Sequence, residues 1–287
     1  MKILITGCRG QLGTEMKNIL ESEYPGITVY TDVDTLDLTD LDAVKECVAR
    51  GGFTHIVNCA AYTAVDKAES DLDLCRRVNR DAVENIGIAA AENNAKVVHV
   101  STDYVFDGTN CRPYREDDPV NPVSVYGVTK LEGEQALLKA APDSVILRTA
   151  WLYSPYGNNF VKTMIRLGRE RENLGVVADQ AGTPTYALDL AKAIVAVITA
   201  PEWHSGIYHF SNEGVASWYD FTKAIHRIAG ITGCDVRPLS TEQYPTPAHR
   251  PQYSVLDKTK IKDTFGITIP YWTDSLDECI ARLESQD

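Results

Sequence analysis

An apolar strand that runs directly into evenly spaced glycines is the feature that most constrains how this chain folds. Residues 2–14 have the sequence K-I-L-I-T-G-C-R-G-Q-L-G-T. Gly7 permits a tight exit from the strand, Gly10 lets backbone approach a pyrophosphate, and Gly13 allows the next helix to pack close. The N-terminus of that helix then faces the phosphates. The spacing predicts a dinucleotide-binding turn.

Strand and helix patterns alternate through the first 150 residues. Strand patterns cover 2–6, 27–31, 54–58, 96–101 and 144–149, and helical patterns lie near 11–22, 40–50, 73–93 and 124–141. This alternation predicts an α/β fold with a doubly wound, Rossmann-like parallel sheet, in which residues 1–150 form a dinucleotide-binding domain.

The pattern is less regular after Trp151. We expect helices near 159–171 and 187–199, a strand and turn at 175–185, and a proline-rich loop at 246–252 over the carboxyl edge of the sheet. Residues 151–287 are therefore predicted to be mainly a smaller substrate-binding domain, with some segments that return to the first domain.

Tyr126 and Lys130 stand four residues apart in a predicted helix, so their side chains share one face. A carbonyl that receives a hydride develops negative charge on oxygen, and a nearby phenol can donate the required proton. An adjacent ammonium would lower the pKa of that phenol and could also hold a ribose. Thr102, at the end of a buried strand pattern, would orient the substrate oxygen. These residue types predict nicotinamide redox chemistry.

The same spacing occurs a second time, at Tyr219 and Lys223. Chance alone predicts roughly 0.6 such pairs in a chain of this composition, so spacing by itself is a weak signal. No strand ending in hydroxyl residues precedes the second pair. We therefore interpret Tyr219 and Lys223 as structural and Tyr126 and Lys130 as catalytic.

Composition limits the class of partner. The formal charge of −12 and the pI near 5.0 argue against nucleic acid or an anionic membrane surface as the partner. No run of 18 apolar residues and no signal-peptide pattern is present, so we expect a cytoplasmic protein. The seven cysteines form no C-x-x-C pair and are interpreted as buried free thiols.

The choice between NADH and NADPH stays open. Asp32 ends the second strand pattern and could accept hydrogen bonds from the adenine ribose, which favours NADH. Arg9 lies within the glycine turn and could pair with a 2′-phosphate, which favours NADPH.

Five sequence blocks resemble the dTDP-4-dehydrorhamnose reductases, a family of the extended short-chain dehydrogenase/reductase superfamily. They are N-C-A-A-Y-T-A-V-D-K-A-E (58–69), S-T-D-Y-V-F-D-G (101–108), Y-G-V-T-K-L-E-G-E (126–134), R-T-A-W-L-Y (148–153) and D-Q-A-G-T-P-T (179–185). The resemblance implies NAD(P)H-dependent reduction of the 4-keto group of dTDP-4-dehydro-L-rhamnose to dTDP-L-rhamnose, a small-molecule nucleotide-sugar substrate.

The resemblance also assigns roles residue by residue. It makes Tyr126 the acid, Lys130 its partner and Thr102 the third catalytic residue. Cofactor contacts are implied for Gln11, Leu12, Asp37, Leu38, Ala60, Ala61 and Tyr62, in addition to Tyr126, Lys130 and the glycine turn. Substrate contacts are implied for Val65, Thr102, Asp103, Tyr126, Trp151 and Arg250, of which Arg250 would meet the nucleotide diphosphate.

Several alternatives belong to the same superfamily. Nucleotide-sugar 4,6-dehydratases have T-D-E where this chain has Thr102, Asp103 and Tyr104, so the acid/base glutamate for elimination is missing. An epimerase would keep the tyrosine and lysine, and a regulatory subunit like that of methionine adenosyltransferase would bind dinucleotide without chemistry.

Some family members hold magnesium at a dimer contact near the position of Glu15. We predict no metal here and leave a homodimer open.

Overall fold

A six-stranded parallel sheet forms the centre of the structure, a computed structural model that describes residues 1–285. The strands are β1 (Ile3–Thr6), β2 (Thr28–Thr31), β3 (His55–Asn58), β4 (Lys96–Thr102), β5 (Val145–Thr149), β6 (Leu152–Tyr153), β7 (Asn173–Val177), β8 (Ala181–Gly182), β9 (Thr185–Tyr186), β10 (Gly206–His209), β11 (Ala216–Ser217) and β12 (Asp235–Leu239). The helices are α1 (Gln11–Glu23), α2 (Leu41–Gly51), α3 (Val65–Ala68), α4 (Leu72–Arg76), α5 (Ala82–Glu92), α6 (Val125–Ala140), α7 (Phe160–Glu170), α8 (Ala187–Thr199), α9 (Trp218–Ile228), α10 (Thr259–Phe265) and α11 (Trp272–Glu284).

The central sheet has the order β10-β5-β4-β3-β1-β2, and every neighbouring pair is parallel. The predicted α/β fold with a doubly wound parallel sheet is confirmed. The carboxyl ends of β1 and β3 are level because Thr6 pairs with Asn58, and β4 continues in the same direction beyond His99, the partner of Asn58, to Thr102. This register brings the glycine turn, the segment after β3 and the end of β4 to one edge.

Helices cover both faces of the sheet, as the apolar strand patterns require. One core packs β1, β4 and β5 against α1 and α8, and the other packs the opposite face against α2, α5 and α6. Local signals fix the helix ends: Asp40 caps α2 through Ala43 N, Ser124 caps α6 through Gly127 N, and Gly52 ends α2 at φ +60°.

The helix predicted over 73–93 is confirmed as a helical run over 72–92, but it is not α-helical throughout. The chain instead forms α4, a π-helical segment at Arg77–Asp81, and then α5. Within the widened turn, the buried Asn79 side chain donates to Tyr62 O over 3.1 Å and accepts from Tyr62 N over 2.8 Å. Apolar periodicity carries no information on this contact, which forms across 17 residues of sequence.

The strand predicted at 175–185 is present as β7, which ends at Val177, and the rest of that stretch contributes β8 and β9 to other short ribbons. β6 pairs with β9, β8 with β11, and β7 with β12. They pack with α7, α9 and α11 around a separate apolar core. Residues of this half also meet the central sheet, since β10 extends it beside β5 and α8 packs on α1. Residues 286 and 287 of the predicted second domain lie outside the described residues.

All seven cysteines are free, but their predicted burial is only partly met. Cys75 and Cys279 are buried, four others are half-buried, and Cys111 is exposed. Within residues 1–285, none of the helices has the length and apolar character that a bilayer crossing requires.

Candidate active site

The glycine turn after β1 has the close contacts that its spacing predicts. Gly7 adopts φ +65°, and a Cβ there would lie 2.7 Å from Ala60 N. A Cβ on Gly13 would lie 2.1 Å from Gly7 O, so the first turn of α1 packs directly on the turn. Gly10 precedes α1 without a side-chain cap. The first amides of the helix are therefore available to an anion.

A cleft opens beside this turn, between β1, β2, β3 and the start of α5. Its walls include eight of the predicted cofactor contacts: Gly7, Gly10, Asp32, Asp37, Leu38, Ala60, Ala61 and Tyr62. The chain brings these residues together from three strand ends that are separated by more than 20 residues. The cleft is lined mostly by small and apolar groups with carboxylates at one end, which suits an adenosine group.

Two predicted cofactor contacts of α1 serve the fold as well. Leu12 is buried in the core, so only its backbone faces the turn. Gln11 accepts a hydrogen bond from Asn159 Nδ2 over 3.0 Å and thereby joins α1 to the start of α7.

Arg9 and Asp32 lie in contact at the rim of the cleft. The Asp32 carboxylate accepts from the backbone N–H of Arg9 and of Val33, each over 2.9 Å. The Arg9 guanidinium bonds to Asp34 and lies 3.6 Å from Asp32. Burial opposes ionisation of Asp32, but these backbone hydrogen bonds and the guanidinium lower its pKa below the usual range. The two residues predicted to favour different cofactors therefore form one charged cluster.

Thr102, Asp103 and Tyr126 meet where β4 ends. Thr102 Oγ1 donates to Asp103 Oδ1 over 3.0 Å and accepts from Tyr104 N over 3.2 Å. Burial raises the pKa of Asp103 to about 6, and hydrogen bonds from Ser254 and Thr102 oppose that rise. Asp103 Oδ2 is buried without a partner in the described part of the chain. An unpartnered buried acceptor is costly, so this carboxyl suits a ligand hydroxyl or a shared proton.

Lys130 is buried one turn after Tyr126 and faces the backbone of β4. Its Nζ donates to Val100 O over 2.7 Å and lies 3.4 Å from His99 Nε2. Burial lowers the pKa of Lys130 to about 8. No carboxylate of residues 1–285 forms a salt bridge with Lys130. Its buried ammonium is therefore unpaired, and burial favours the loss of its proton.

The predicted pKa change of Tyr126 is wrong in sign. We expected Lys130 to lower it, but burial raises the pKa of Tyr126 and a hydrogen bond with Thr102 only partly offsets the rise. The physical reason is burial, which disfavours the charged phenolate, and the neighbouring Asp103 carboxyl adds to the rise. The phenol is thus held protonated, which is the form that a proton donor needs.

An ion pair covers the site from the side of the C-terminal half. Arg250 Nη2 lies 2.7 Å from Asp66 Oδ2, and Arg250 Nη1 donates to Tyr104 OH over 3.1 Å. The Tyr104 ring meets the Tyr126 ring edge-on at 5.4 Å, and Val65 packs in the same cluster. The loop at 246–252 therefore reaches Tyr126 through the Arg250 guanidinium and the Tyr104 phenol.

Trp151 stacks on Trp218, with ring centroids 3.6 Å apart. It has φ +48°, a conformation that costs a bulky residue free energy. A Cβ on Gly182 would lie 2.6 Å from the Trp151 ring, so a glycine provides the space for it. Trp218 lines a second cleft together with Phe160, Met164, Leu174, Val176, Asp66 and Arg250.

Glu15 is buried in α1 and paired with a cation of the protein. Its carboxylate lies 3.1 Å from Arg282 Nη2, and Ser154 Oγ donates to it over 3.3 Å. Burial raises the pKa of Glu15, and Arg282 opposes that rise. Residues 1–285 contain no grouping of three or more histidines, cysteines or carboxylates that could hold a metal ion.

The sequence analysis missed three residues that support the site. Asn58 and His99 connect Ala60, in the wall of the cleft, to Lys130. Asn79 fixes the main chain of Tyr62. His99 lies in an apolar strand pattern, K-V-V-H-V-S-T. A polar residue at the carboxyl end of a buried parallel strand is the signal that could have found Asn58, and a polar residue inside an apolar strand pattern is the signal that could have found His99.

Comparison with known proteins identifies the family. A family model described as RmlD substrate binding domain matches residues 1–285. A dTDP-4-dehydrorhamnose reductase of Aggregatibacter actinomycetemcomitans is 42% identical over 284 residues, which cover 96% of this chain and 97% of that protein. A dTDP-4-keto-6-deoxy-D-glucose reductase of Streptomyces niveus is 37% identical over 285 residues, 99% of this chain and 98% of that protein.

Two solved structures have the same fold over nearly the whole chain. The dTDP-4-dehydrorhamnose reductase of Clostridium acetobutylicum has a TM-score of 0.95 and 45% identity, and covers 99% of this chain and 100% of its own. The one from Bacillus anthracis, in complex with NADP, has a TM-score of 0.93 and 39% identity, and covers 98% of this chain and 100% of its own. The chain therefore belongs to the dTDP-4-dehydrorhamnose reductase family of the short-chain dehydrogenase/reductase superfamily.

Proposed function

We propose that this protein reduces the 4-keto group of dTDP-4-dehydro-L-rhamnose to a hydroxyl, giving dTDP-L-rhamnose. The observation that carries the proposal is the convergence of Thr102, Tyr126 and buried Lys130 at the carboxyl end of β4, beside a glycine turn of dinucleotide-binding geometry. Relatives named for this reaction match over nearly the whole chain.

The cleft beside the glycine turn fits NADPH or NADH, which supplies the hydride when bound. A Cβ on Gly7 or Gly13 would collide with backbone, which supports a turn shaped for close approach. Gly10 leaves the first turn of α1 without a side-chain cap, and Asp32 is ionised at the rim. The first-turn amides would hold the pyrophosphate, and Asp32 or Arg9 would hold the ribose end.

Tyr126 would donate the proton to the sugar oxygen as the carbonyl carbon receives the hydride. Burial keeps the phenol protonated, and the Thr102 hydroxyl lies against it to orient the same oxygen. Lys130 would hold the nicotinamide ribose and stabilise the phenolate that Tyr126 becomes. Because hydride and proton reach opposite ends of the C=O bond, the product is an alcohol with no other group lost.

The second cleft would hold the nucleotide of the substrate. Phe160 and Trp218 offer flat apolar faces for a base, and Arg250 can form bidentate hydrogen bonds with a diphosphate. Val65, Asp103 and Trp151 would surround the sugar, since Val65 packs against Tyr126 and Asp103 carries a free buried oxygen. On this proposal residues 1–150 bind mainly cofactor, and the later residues bind mainly substrate.

A second substrate deserves the same assay because one relative is named a dTDP-4-keto-6-deoxy-D-glucose reductase. The two sugars carry the same keto group and differ in ring stereochemistry. An epimerase or a non-catalytic dinucleotide-binding subunit would use the same fold, but neither would convert cofactor stoichiometrically with substrate.

The test measures the loss of NADPH or NADH absorbance with dTDP-4-keto-6-deoxy-D-glucose as the starting sugar. It is run with and without an epimerase that converts this sugar to dTDP-4-dehydro-L-rhamnose in situ. Turnover that requires the epimerase supports the proposal, and the faster cofactor settles the preference. Turnover without it assigns the second substrate. No turnover with either, despite cofactor binding measured by fluorescence, refutes reductase function.

A homodimer and a cytoplasmic location are part of the same proposal. Light scattering of the purified protein against the chain mass of 31.7 kDa tests the first, and cell fractionation tests the second.

A further inference from the structure

A line of buried polar side chains runs from Ala60, in the wall of the cleft beside the glycine turn, to Lys130. Thr6 Oγ1 and Ala60 N both donate to Asn58 Oδ1, over 2.7 and 3.0 Å. The Asn58 amide nitrogen lies 3.0 Å from His99 Nδ1, and His99 Nε2 lies 3.4 Å from Lys130 Nζ. The four side chains of this line are each at most 2% exposed. Water therefore does not separate them, and each donor must match an acceptor.

The hydrogen bonds of Asn58 determine which nitrogen of His99 carries the proton. Ala60 N–H can only donate, so the oxygen of the Asn58 amide faces Ala60 and its NH₂ group faces His99. An NH₂ group also only donates, so His99 Nδ1 must accept. Burial and Lys130 together lower the pKa of His99 well below its usual value, which keeps the ring neutral. The single ring proton then lies on Nε2, toward Lys130.

This arrangement sets a ring N–H against the amine of Lys130. A charged ammonium has three donors and no lone pair, so it gains nothing from Nε2–H and is repelled by it. A neutral amine has a lone pair that can accept from Nε2–H. One Lys130 donor is already satisfied by Val100 O at 2.7 Å. His99 therefore favours the deprotonated state of Lys130.

Other groups that face Lys130 do not supply a close counter-charge. Glu134 lies one helical turn later, and its carboxylate is bound to Arg148 over 2.7 Å. Cys75 is hydrogen-bonded to Thr129 at 3.2 Å, and burial raises the pKa of its thiol. The Tyr126 phenol is neutral because burial also raises its pKa. His99 is thus the polar side chain best placed to bias the proton on Lys130.

We propose that Asn58 and His99 are positioning residues of this reductase, which hold an imidazole N–H against Lys130 Nζ and thereby set the pH at which Lys130 loses its proton. The role rests on the proposed function. It also gives a reason for the buried polar residues at the end of β3 and in the middle of β4, because the same Asn58 accepts a hydrogen bond from Ala60 N in the wall of the cleft.

The test reverses the direction of the hydrogen bond. In Asn58→Asp, a carboxylate accepts from Nδ1–H, which moves the ring proton and leaves Nε2 to accept from Lys130. We expect the alkaline limb of kcat, and of NADPH affinity, to move up by about one pH unit. In a His99→Phe background the same Asn58→Asp change should produce less than half of that shift. Equal shifts in the two backgrounds, or no shift in the first, would overturn the proposal.

A measurement on the unmodified protein keeps the proposal testable if the Asn58 variants fail to fold. With ¹⁵N-labelled histidine, His99 should show a protonated Nε2 and an unprotonated Nδ1 in NMR spectra at neutral pH, assigned by loss of the signals in His99→Phe. A protonated Nδ1 contradicts the role. Neither this spectrum nor NADPH affinity requires turnover, so a failure of the proposed reductase reaction remains distinguishable from a failure of this inference.

Discussion

Two successive turns of α6 carry buried charges that the structure treats in opposite ways. Glu134 forms a two-pronged ion pair with Arg148 of β5, over 2.7 and 2.9 Å, and both side chains are at most 3% exposed. Lys130, one turn earlier and equally buried, has a carbonyl and a histidine as neighbours but no carboxylate partner in the described chain. A paired charge is fixed in the fold, whereas an unpaired one is free to change protonation or bind a ligand.

The difference separates a turn of α6 that is suited to chemistry from a turn that stabilises the fold. In the turn that contains Tyr126 and Lys130, neighbouring groups contact Lys130 Nζ but do not neutralise its charge. The turn that contains Glu134 joins α6 to β5, and Arg148 also lies over the Phe106 ring at 5.2 Å. We therefore expect substitutions in the first turn to reduce turnover and substitutions in the second to reduce stability.

The largest effect should come from Tyr126→Phe. The change removes only the proton donor, so kcat should fall by about 10²–10⁴-fold while NADPH affinity stays within about threefold. Steady-state kinetics and fluorescence titration measure the two quantities. Tyr219→Phe is the matched control, because Tyr219 has the same spacing to Lys223 in α9 but packs in the C-terminal core. Equal losses in both variants would remove the distinction between the two pairs.

Arg148→Met should break the paired charge. It leaves Glu134 buried without a partner, and we expect the free energy of unfolding to drop by about 3–5 kcal/mol. Urea unfolding measures the drop. Turnover per folded molecule should change by less than about threefold, since the side-chain partners of Arg148 are Glu134 and the Phe106 ring. A variant of normal stability and low kcat would contradict our assignment of this turn to the fold.

Lys130→Met should have the opposite profile. Removing the ammonium should lower kcat/KM by about 10–100-fold and weaken NADPH binding, because in the proposed mechanism Lys130 holds the ribose and also stabilises the phenolate. The same change replaces a buried, unpaired cation with an apolar side chain, so stability should be unchanged or higher. Comparing the denaturation midpoints of this variant and Arg148→Met tests the two predictions together. Unchanged cofactor affinity would argue against contact with the ribose.

The smallest effect is a slope of stability against pH. The pKa of Lys130 is lowered from 10.5 to about 8 in the folded protein. Between these values the unfolded chain binds a proton that the folded chain does not, so stability should rise with pH, by at most about 1.4 kcal/mol per pH unit. The rise should be absent in Lys130→Met. We would measure urea unfolding of both proteins at pH about 8 and about 10, and use the difference to cancel other titrations. Parallel curves would contradict the lowered pKa.

Much of the fold was predictable because its signals are local. Each strand of the central sheet that was predicted begins and ends within about one residue of the observed one, and Ser124 and Asp40 cap the helices they precede. The π-helical segment within the helix after Leu72 and the three ribbons of the C-terminal half were not predicted. Both depend on contacts such as that of Asn79 with Tyr62, which apolar periodicity does not report.

The candidate site likewise has some features that the sequence predicted and others that depend on long-range contacts. The glycine turn and the Tyr126/Lys130 spacing were visible in short stretches of sequence. The burial of Tyr126 was not, and as a result the predicted direction of the pKa shift of Tyr126 was wrong. Asp66 and Arg250 are 184 residues apart and meet only because the C-terminal loop folds back over the sheet.

The sequence alone determined the alternating α/β order, the glycine turn after β1 and the residue types available for hydride-transfer chemistry. Each depends on backbone conformation or on apolar periodicity within a few residues. Tertiary structure alone decided which charges are paired, since β4 and β5 supply His99 to Lys130 and Arg148 to Glu134 across sequence separations of 31 and 14 residues. Burial and partner together set the protonation of a side chain, and neither is encoded at its own position.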